Sequence, residues 1–238
     1  MCDYFILTKP NNCEIGNDDK NQIISLTEKV YILPKTNMSY YITYGLFEKN
    51  LIEWCKQFCK KDQNMLDIGA HSGTYTISLA DYCNKVYSFE PQKMTFYSLC
   101  GSVALSNIKN VTCLNIGLGT TEQVGTQTLN IISLDGGGST LHCENDTTIL
   151  QTEEIEIRTL DSLHIDNISF IKMDVENNEL QVLLSSQNTL KRSNYPKILF
   201  EMNHPNAQLI YFLESIAYSI IPVSGCTNMF LAVHKLNM

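Results

Sequence analysis

The segment Met65-Leu-Asp-Ile-Gly-Ala-His-Ser-Gly-Thr-Tyr-Thr76 restricts the possible folds of this chain more than any other stretch. An apolar run ends there in an acid and a glycine-bearing turn, after which Ile77 and Ala80 fall at helical spacing. Val86-Tyr-Ser-Phe-Glu-Pro91 then brings a second apolar run to an acid. Such a pair places a pocket at the carboxyl ends of two neighbouring parallel strands. Gly69 and Gly73 remove side chains where the chain turns sharply and a ligand approaches the backbone, and the turn opens a helix whose free N–H groups favour a carboxylate.

Glu90 follows Asp67 by 23 residues, near the roughly 20 expected for an acid that accepts hydrogen bonds from ribose hydroxyls. The spacing Gly69-x-x-x-Gly73 is not G-x-G-x-x-G, and no Lys-Ser/Thr follows as in a P-loop. A pyrophosphate ligand is therefore disfavoured. S-adenosylmethionine, with a ribose and an amino-acid tail but no phosphates, fits better. The plainer alternative is a strand-turn-helix of a doubly wound sheet without a ligand.

A chain of 238 residues suffices for one large α/β domain with a well-buried core. Its net charge of −8 disfavours nucleic acid, because phosphate binding draws on clustered Lys and Arg, and only pairs such as Lys60-Lys61 and Lys191-Arg192 occur. Nine scattered cysteines with no C-x-x-C pair read as reduced thiols of a cytoplasmic protein. Cys55 and Cys59 alone make a weak zinc signal, and no metal site is assigned. No apolar run reaches the length of a membrane span, and the N-terminus has an early acid, unlike a signal peptide. The sequons at Asn37 and Asn110 then read as chance matches.

Taken in order, residues 1–22 are polar and turn-rich and read as a loose arm. Val30–Leu33 and Tyr40–Thr43 resemble a strand pair, and residues 47–58 have helical spacing, with Trp54 expected in the core. Strands at about 64–68, 85–89 and 110–116 alternate with helices over 72–83 and after Pro91, the second carrying Phe96, Leu99 and Val103. This alternation implies a parallel sheet. Runs at 127–134 and 153–160 flank Asp135-Gly-Gly-Gly-Ser139 and read as an inserted hairpin with a mobile loop beside the pocket. Strands at 168–174 and 197–202, helices over 178–190 and 206–218, and a final pair at 219–223 and 229–233 complete the sheet. The helix over 178–190 is expected to bury Leu180, Leu183, Leu184 and Leu190. The division expected is an arm, short strands and a covering helix over 1–60, then a domain over 61–238 with its insertion at about 120–162.

Asp67-Ile-Gly-Ala-x-x-Gly, Phe89-Glu-Pro91, Thr159-Leu-Asp-Ser-Leu163, Ile171-Lys-Met-Asp-Val-Glu176 with Glu179, and Ile198-Leu-Phe-Glu201 together resemble the FkbM family of S-adenosylmethionine-dependent methyltransferases. These blocks span about residues 60–205. The resemblance implies a class I Rossmann-like methyltransferase, with a mostly parallel seven-stranded sheet, helices on both faces and an antiparallel seventh strand. It also implies O-methylation, often of a sugar or polyketide hydroxyl. Two positions depart from the family pattern. Asn177 stands where the family usually has glycine, and His71 where it commonly has Asn.

On this reading the cofactor contacts are Asp67, Gly69, Ala70, His71, Gly73, Thr74, Glu90, Pro91, Ile116, Gly117 and Asp174. Asp174, Glu201 and His204 are the catalytic candidates, since a neutral hydroxyl must lose a proton during transfer. Glu176, Glu179 and His204 are placed on the substrate side. His204 and His71 also have plain structural readings, and Asp174 can act as a helix cap. The acceptor expected is a sugar or glycan hydroxyl, with no nucleic-acid or membrane partner and with oligomeric state open. The rival readings are a small-molecule N-methyltransferase and an inactive methyltransferase fold that serves as a binding subunit.

Overall fold

The computed structural model describes residues 3–8, 13–18, 21–26, 29–142 and 147–238. The N-terminal part carries strands β1 (Tyr4–Leu7), β2 (Cys13–Asp18), β3 (Asn21–Leu26) and β4 (Tyr31–Pro34), then helices α1 (Met38–Tyr44) and α2 (Lys49–Cys55). Next come β5 (Asn64–Ile68), α3 (Thr74–Leu79), β6 (Lys85–Phe89), α4 (Lys93–Leu105) and β7 (Val111–Leu114). A side layer is formed by β8 (Gly117–Leu118), β9 (Gly125–Ile131) and β10 (Gln151–Arg158). The chain ends with β11 (Ile168–Met173), α5 (Glu179–Leu184), α6 (Gln187–Arg192), β12 (Lys197–Glu201), α7 (Ala207–Ser215), β13 (Tyr218–Pro222) and β14 (Met229–His234).

The main sheet has seven strands in the order β13-β14-β12-β11-β5-β6-β7. Pairing from β12 to β7 is parallel throughout, and β14, the last strand of the chain, runs antiparallel to both β12 and β13. Strand alternation then sends neighbouring side chains to opposite faces. Leu66, Ile68, Ile171, Met173, Ile198 and Phe200 pack with Leu180, Leu183, Leu209 and Leu213, while Met65, Phe170, Leu199 and Leu231 pack with Leu51, Ile52, Cys55 and Leu79. Burying both faces is what a largely parallel sheet requires. The strands β5, β11 and β12 end along one edge, and the site lies there.

Four local expectations are corrected. The loose arm over 1–22 contains strands where it is described: β1 pairs with β4, and β2 with β3, while residues 1–2, 9–12 and 19–20 lie outside the described residues. Tyr40–Thr43 is helical, not the partner of β4. Two edge N–H groups, of Val30 and Ile32, instead donate to the hydroxyls of Ser106 and Ser102 on α4 and its C-terminal end, and Tyr40 and Tyr44 pack one helical turn apart at 5.1 Å. On α4, Thr95, Ser98, Leu99 and Ser102 are buried, with Phe96 and Val103 only partly covered. The third correction concerns Trp54, which is 37% exposed and sits edge-on to Phe58. Finally, the helix over 178–190 breaks at Ser185-Ser186 into α5 and α6, where both hydroxyls donate back to backbone carbonyls, and Leu184 faces out.

The inserted hairpin is present as the β9–β10 pair, with β8 added in parallel. Between its strands, Asp135 at the head of the Gly136–Gly138 run meets His71 of the turn after β5. Among the described residues, no helix is long and apolar enough to cross a membrane.

Candidate active site

A cavity of about 280 Å³ opens at the carboxyl edge of the sheet. Gly69, Ala70, His71, Thr74, Glu90, Pro91, Gly117, Asp174 and Glu176 all border it. The turn after β5 must be glycine at its first bend. Gly69 has φ +75°, and a Cβ there would collide with the Asp174 carbonyl, so the turn and the end of β11 lie in backbone contact.

Glu90 is buried against this turn. Its Oε2 accepts from the His71 N–H at 2.7 Å, and its Oε1 accepts from the Gln92 N–H at 2.8 Å and the Thr95 hydroxyl at 2.9 Å. Burial raises its pKa, against the pull of His71 and these donors. One acceptor position on Oε2 is left over, because a carboxylate oxygen has two lone pairs.

The sequence places Asp67, Gly73 and Ile116 near this ligand, but none of them borders the cavity. Asp67 shares a sheet face with Met65, beneath α3. Its Oδ2 accepts from the Thr76 N–H at 3.0 Å and the Thr76 hydroxyl at 2.6 Å, so this acid holds the first turn of α3. Gly73 takes φ +84° and packs against Leu99, and Ile116 belongs to the core.

Lys172, only 5% exposed, was not among the sequence candidates, although a lone cation inside the apolar strand Ile168–Met173 was the signal for it. Its ammonium donates to the Gly69 carbonyl at 3.0 Å and to Asp174 Oδ2 at 3.3 Å, and it lies 4.0 Å from Asp67 Oδ1. Burial works against this charge, but Asp174, Asp67 and Glu48 outweigh it and hold the pKa above the ordinary lysine value.

The carboxylates of Asp174, Glu176 and Glu201 lie within 4.8 Å of one another. Glu201 does not border the cavity; Asn228 donates to its Oε1 at 2.5 Å and Asn203 to its Oε2 at 2.9 Å. Burial, then the nearby Asp174 and Glu176, push Glu201 up to about 8. Burial, then Asp174, raises Glu176 as well. Glu179 lies outside the cavity, accepts from the Val175 N–H, and is pushed up to about 7 by burial. His204 is exposed and away from the cavity. The three clustered acids have the geometry of a cation site, but no second feature of the structure assigns one.

Asp135 fastens the other rim. Its carbonyl oxygen meets His71 Nε2 at 2.7 Å, and its carboxylate accepts from Asn37, Ser133 and the Gly137 N–H. Burial would raise its pKa, yet these hydrogen bonds and His71 hold it below the usual carboxylate value. Asn37, Tyr41, Phe47 and Glu48 also border the cavity. No linear pattern ties these residues to the motif after β5, so only the fold reveals them.

Residues 67–220 match the methyltransferase FkbM domain. The chain belongs to this family. An FkbM domain is that of an S-adenosylmethionine-dependent methyltransferase, so S-adenosylmethionine is the cofactor its cavity must suit. A methyltransferase FkbM from Methylobacillus flagellatus KT is similar in fold, with a TM-score of 0.52 at 18% identity, over 73% of this chain and 44% of that one. This chain thus spans less than half of that protein. A precorrin-6y C5,15-methyltransferase from Geobacter metallireducens GS-15 gives 0.51 at 12% identity, over 81% of this chain and 92% of its own. No curated protein matches the chain.

The FkbM cavity suits this cofactor. Apolar walls from Pro91, Leu118, Leu129, Ile155 and Ile157 adjoin Glu90 with its spare acceptor position, as an adenosine requires. The family glycine replaced by Asn177 also has an explanation. Asn177 has φ +72° and is exposed, and Asn tolerates the left-handed region better than other side chains.

Proposed function

We propose that this FkbM-family chain methylates a hydroxyl group of a sugar or glycan. The observation that carries the reading is the placement of Asp174. Asp174 borders the cavity beside the turn after β5, its Oδ2 accepts from the Lys172 ammonium at 3.3 Å, and its carboxylate clusters with those of Glu176 and Glu201.

S-adenosylmethionine, when bound, supplies an electrophilic methyl group. On this proposal Glu90 Oε2 takes the ribose hydroxyls, Pro91, Gly117 and Leu118 flank the adenine, and Gly69, Ala70, His71 and Thr74 border the amino-acid end. Asp67 and Gly73 act indirectly, by holding α3 and the turn. Asp174 then orients the acceptor hydroxyl and takes its proton, the group an alcohol needs and an amine needs less. A carboxyl near 8 keeps Glu201 protonated at neutral pH, and Lys172 offsets Asp174, so the site is less anionic than its count of acids implies. This favours a neutral polyol over a cationic amine. Glu176 faces the acceptor, and Glu179, held within its own turn, shapes that segment. The domain boundaries proposed stay at 1–60 and 61–238.

Calorimetry with S-adenosylmethionine and S-adenosylhomocysteine, followed by methyl transfer from labelled cofactor to a panel of sugars, amines and phenols, tests the reading. Cofactor binding with transfer to a sugar hydroxyl is the expected result. Transfer only to amines replaces it with the N-methyltransferase reading, and absence of cofactor binding supports the inactive-fold alternative.

A further inference from the structure

The residues matching the family begin at 67, yet one wall of the cavity comes from the segment before them. Phe47 is the most distinctive part of that wall. Its ring stacks on Tyr40 at 4.1 Å and 15°, and Tyr41 meets it edge-on at 4.9 Å and 75°. Aromatic groups packed this closely normally bury one another. Phe47 remains 37% exposed while bordering the cavity, so its neighbours brace the ring without covering it.

The segment is also tied to both halves of the site. Thr36 and Asn37 donate to the Asp135 carboxylate, at 3.3 and 3.1 Å, and the Tyr75 hydroxyl at the start of α3 donates to Glu48 Oε2 at 2.9 Å. Phe47 is thereby fixed next to Glu48, and both share the cavity with Asp174 and Glu176. An aromatic face beside several carboxylate acceptors matches a ring that has one C–H face and hydroxyls around its edge. Binding sites of this kind combine apolar and aromatic walls with a few orienting polar groups.

We propose that Phe47 is a specificity-determining residue, forming the stacking surface for a pyranose ring of the acceptor while Glu48 and Glu176 accept from its flanking hydroxyls. The inference rests on the sugar-hydroxyl reading above and adds the residue that selects for it.

The test compares wild type with Phe47→Leu, which keeps apolar bulk but loses the flat face, and with Phe47→Trp, which keeps the face. Methyl glycosides and short oligosaccharides serve as acceptors, and binding of the same sugars with S-adenosylhomocysteine present is read by saturation-transfer NMR. Phe47→Leu is expected to raise KM for the sugar at least tenfold, with kcat within about threefold, unchanged S-adenosylhomocysteine affinity and an unchanged unfolding midpoint. Phe47→Trp should restore KM. A wild type that methylates sugars while Phe47→Leu leaves KM unchanged overturns the role of Phe47 and leaves the sugar reading intact. A wild type that neither binds nor methylates any sugar, or that prefers amines, overturns both.

Discussion

The ammonium of Lys172 donates to the Asp174 carboxylate at 3.3 Å while it holds the Gly69 carbonyl at 3.0 Å. One buried cation thus joins the proposed base to the turn after β5, and its removal leaves Asp67 and Asp174 without their common partner. Lys172→Met should destabilise the protein by about 3–5 kcal/mol, the usual cost of breaking a buried ion pair from one side. Urea unfolding measures this. A loss below about 1 kcal/mol would show that solvent already screens these acids.

Much of the sheet was legible because its strands are short apolar runs ended by acids or turns, and strand alternation reports only local chemistry. Glu90 could be read as a cavity acid for the same reason. Asp67 could not be placed, because whether an acid at a strand end faces a ligand or the first turn of the next helix depends on which face it occupies. The face follows from packing: Asp67 lies opposite Lys172 in the sheet register, under Thr76. Tyr40–Thr43 misled for a different reason. Its β-forming residues are outvoted because β4 pairs with β1 and the N–H groups of Ile32 and Val30 are taken by Ser102 and Ser106. Phe47 and Glu48 gave no linear signal, since they reach the site only through tertiary contacts.

Asn177 is the departure from the family pattern that the backbone explains. At φ +72°, Asn177→Gly should leave stability within about 0.5 kcal/mol or raise it, whereas Asn177→Val should cost about 1–2 kcal/mol through left-handed strain. Thermal or urea unfolding of the two variants reads the difference. Equal stability of Gly and Val at this position would remove the conformational account.

Glu90→Gln should weaken cofactor binding by about 1.5–3 kcal/mol, the range for a hydrogen bond to a charged group. The amide keeps the shape of the side chain but loses charge and one acceptor oxygen. Calorimetry with S-adenosylhomocysteine reports the change. A folded Glu90→Gln protein with wild-type affinity would remove Glu90 from the ribose.

Stability should fall as pH rises from about 5 to 9. Glu201 sits at about 8 and Glu179 at about 7 in the folded protein, against ordinary values near 4.5. Folding therefore favours their protonated forms. The contribution is fully present below the unfolded value and is lost as pH rises through 7 and then 8. Glu201→Gln cannot ionise and should reduce this alkaline loss, as read from urea midpoints at pH 6 and 9. An identical pH dependence in wild type and Glu201→Gln would place the Glu201 carboxyl in an ordinary solvated state.

Asp174→Asn separates proton transfer from binding. The substitution is close to isosteric, so the fold should persist, although the ion pair with Lys172 is reduced to a neutral hydrogen bond. Cofactor affinity should change little if Glu90 and the backbone of the Gly69 turn make the main contacts. Turnover should fall by roughly 10²-fold or more, the scale for loss of a positioned acid-base group. Single-turnover transfer to the sugar acceptor and calorimetry with S-adenosylhomocysteine measure the two quantities separately. Normal turnover with normal binding would exclude Asp174 as the base and move that role to Glu176, the clustered acid that also borders the cavity; neither Glu201 nor the exposed His204 borders it. A parallel loss of cofactor affinity would instead place the Asp174 carboxylate against the methionine end of the cofactor, with Lys172 serving to hold it there.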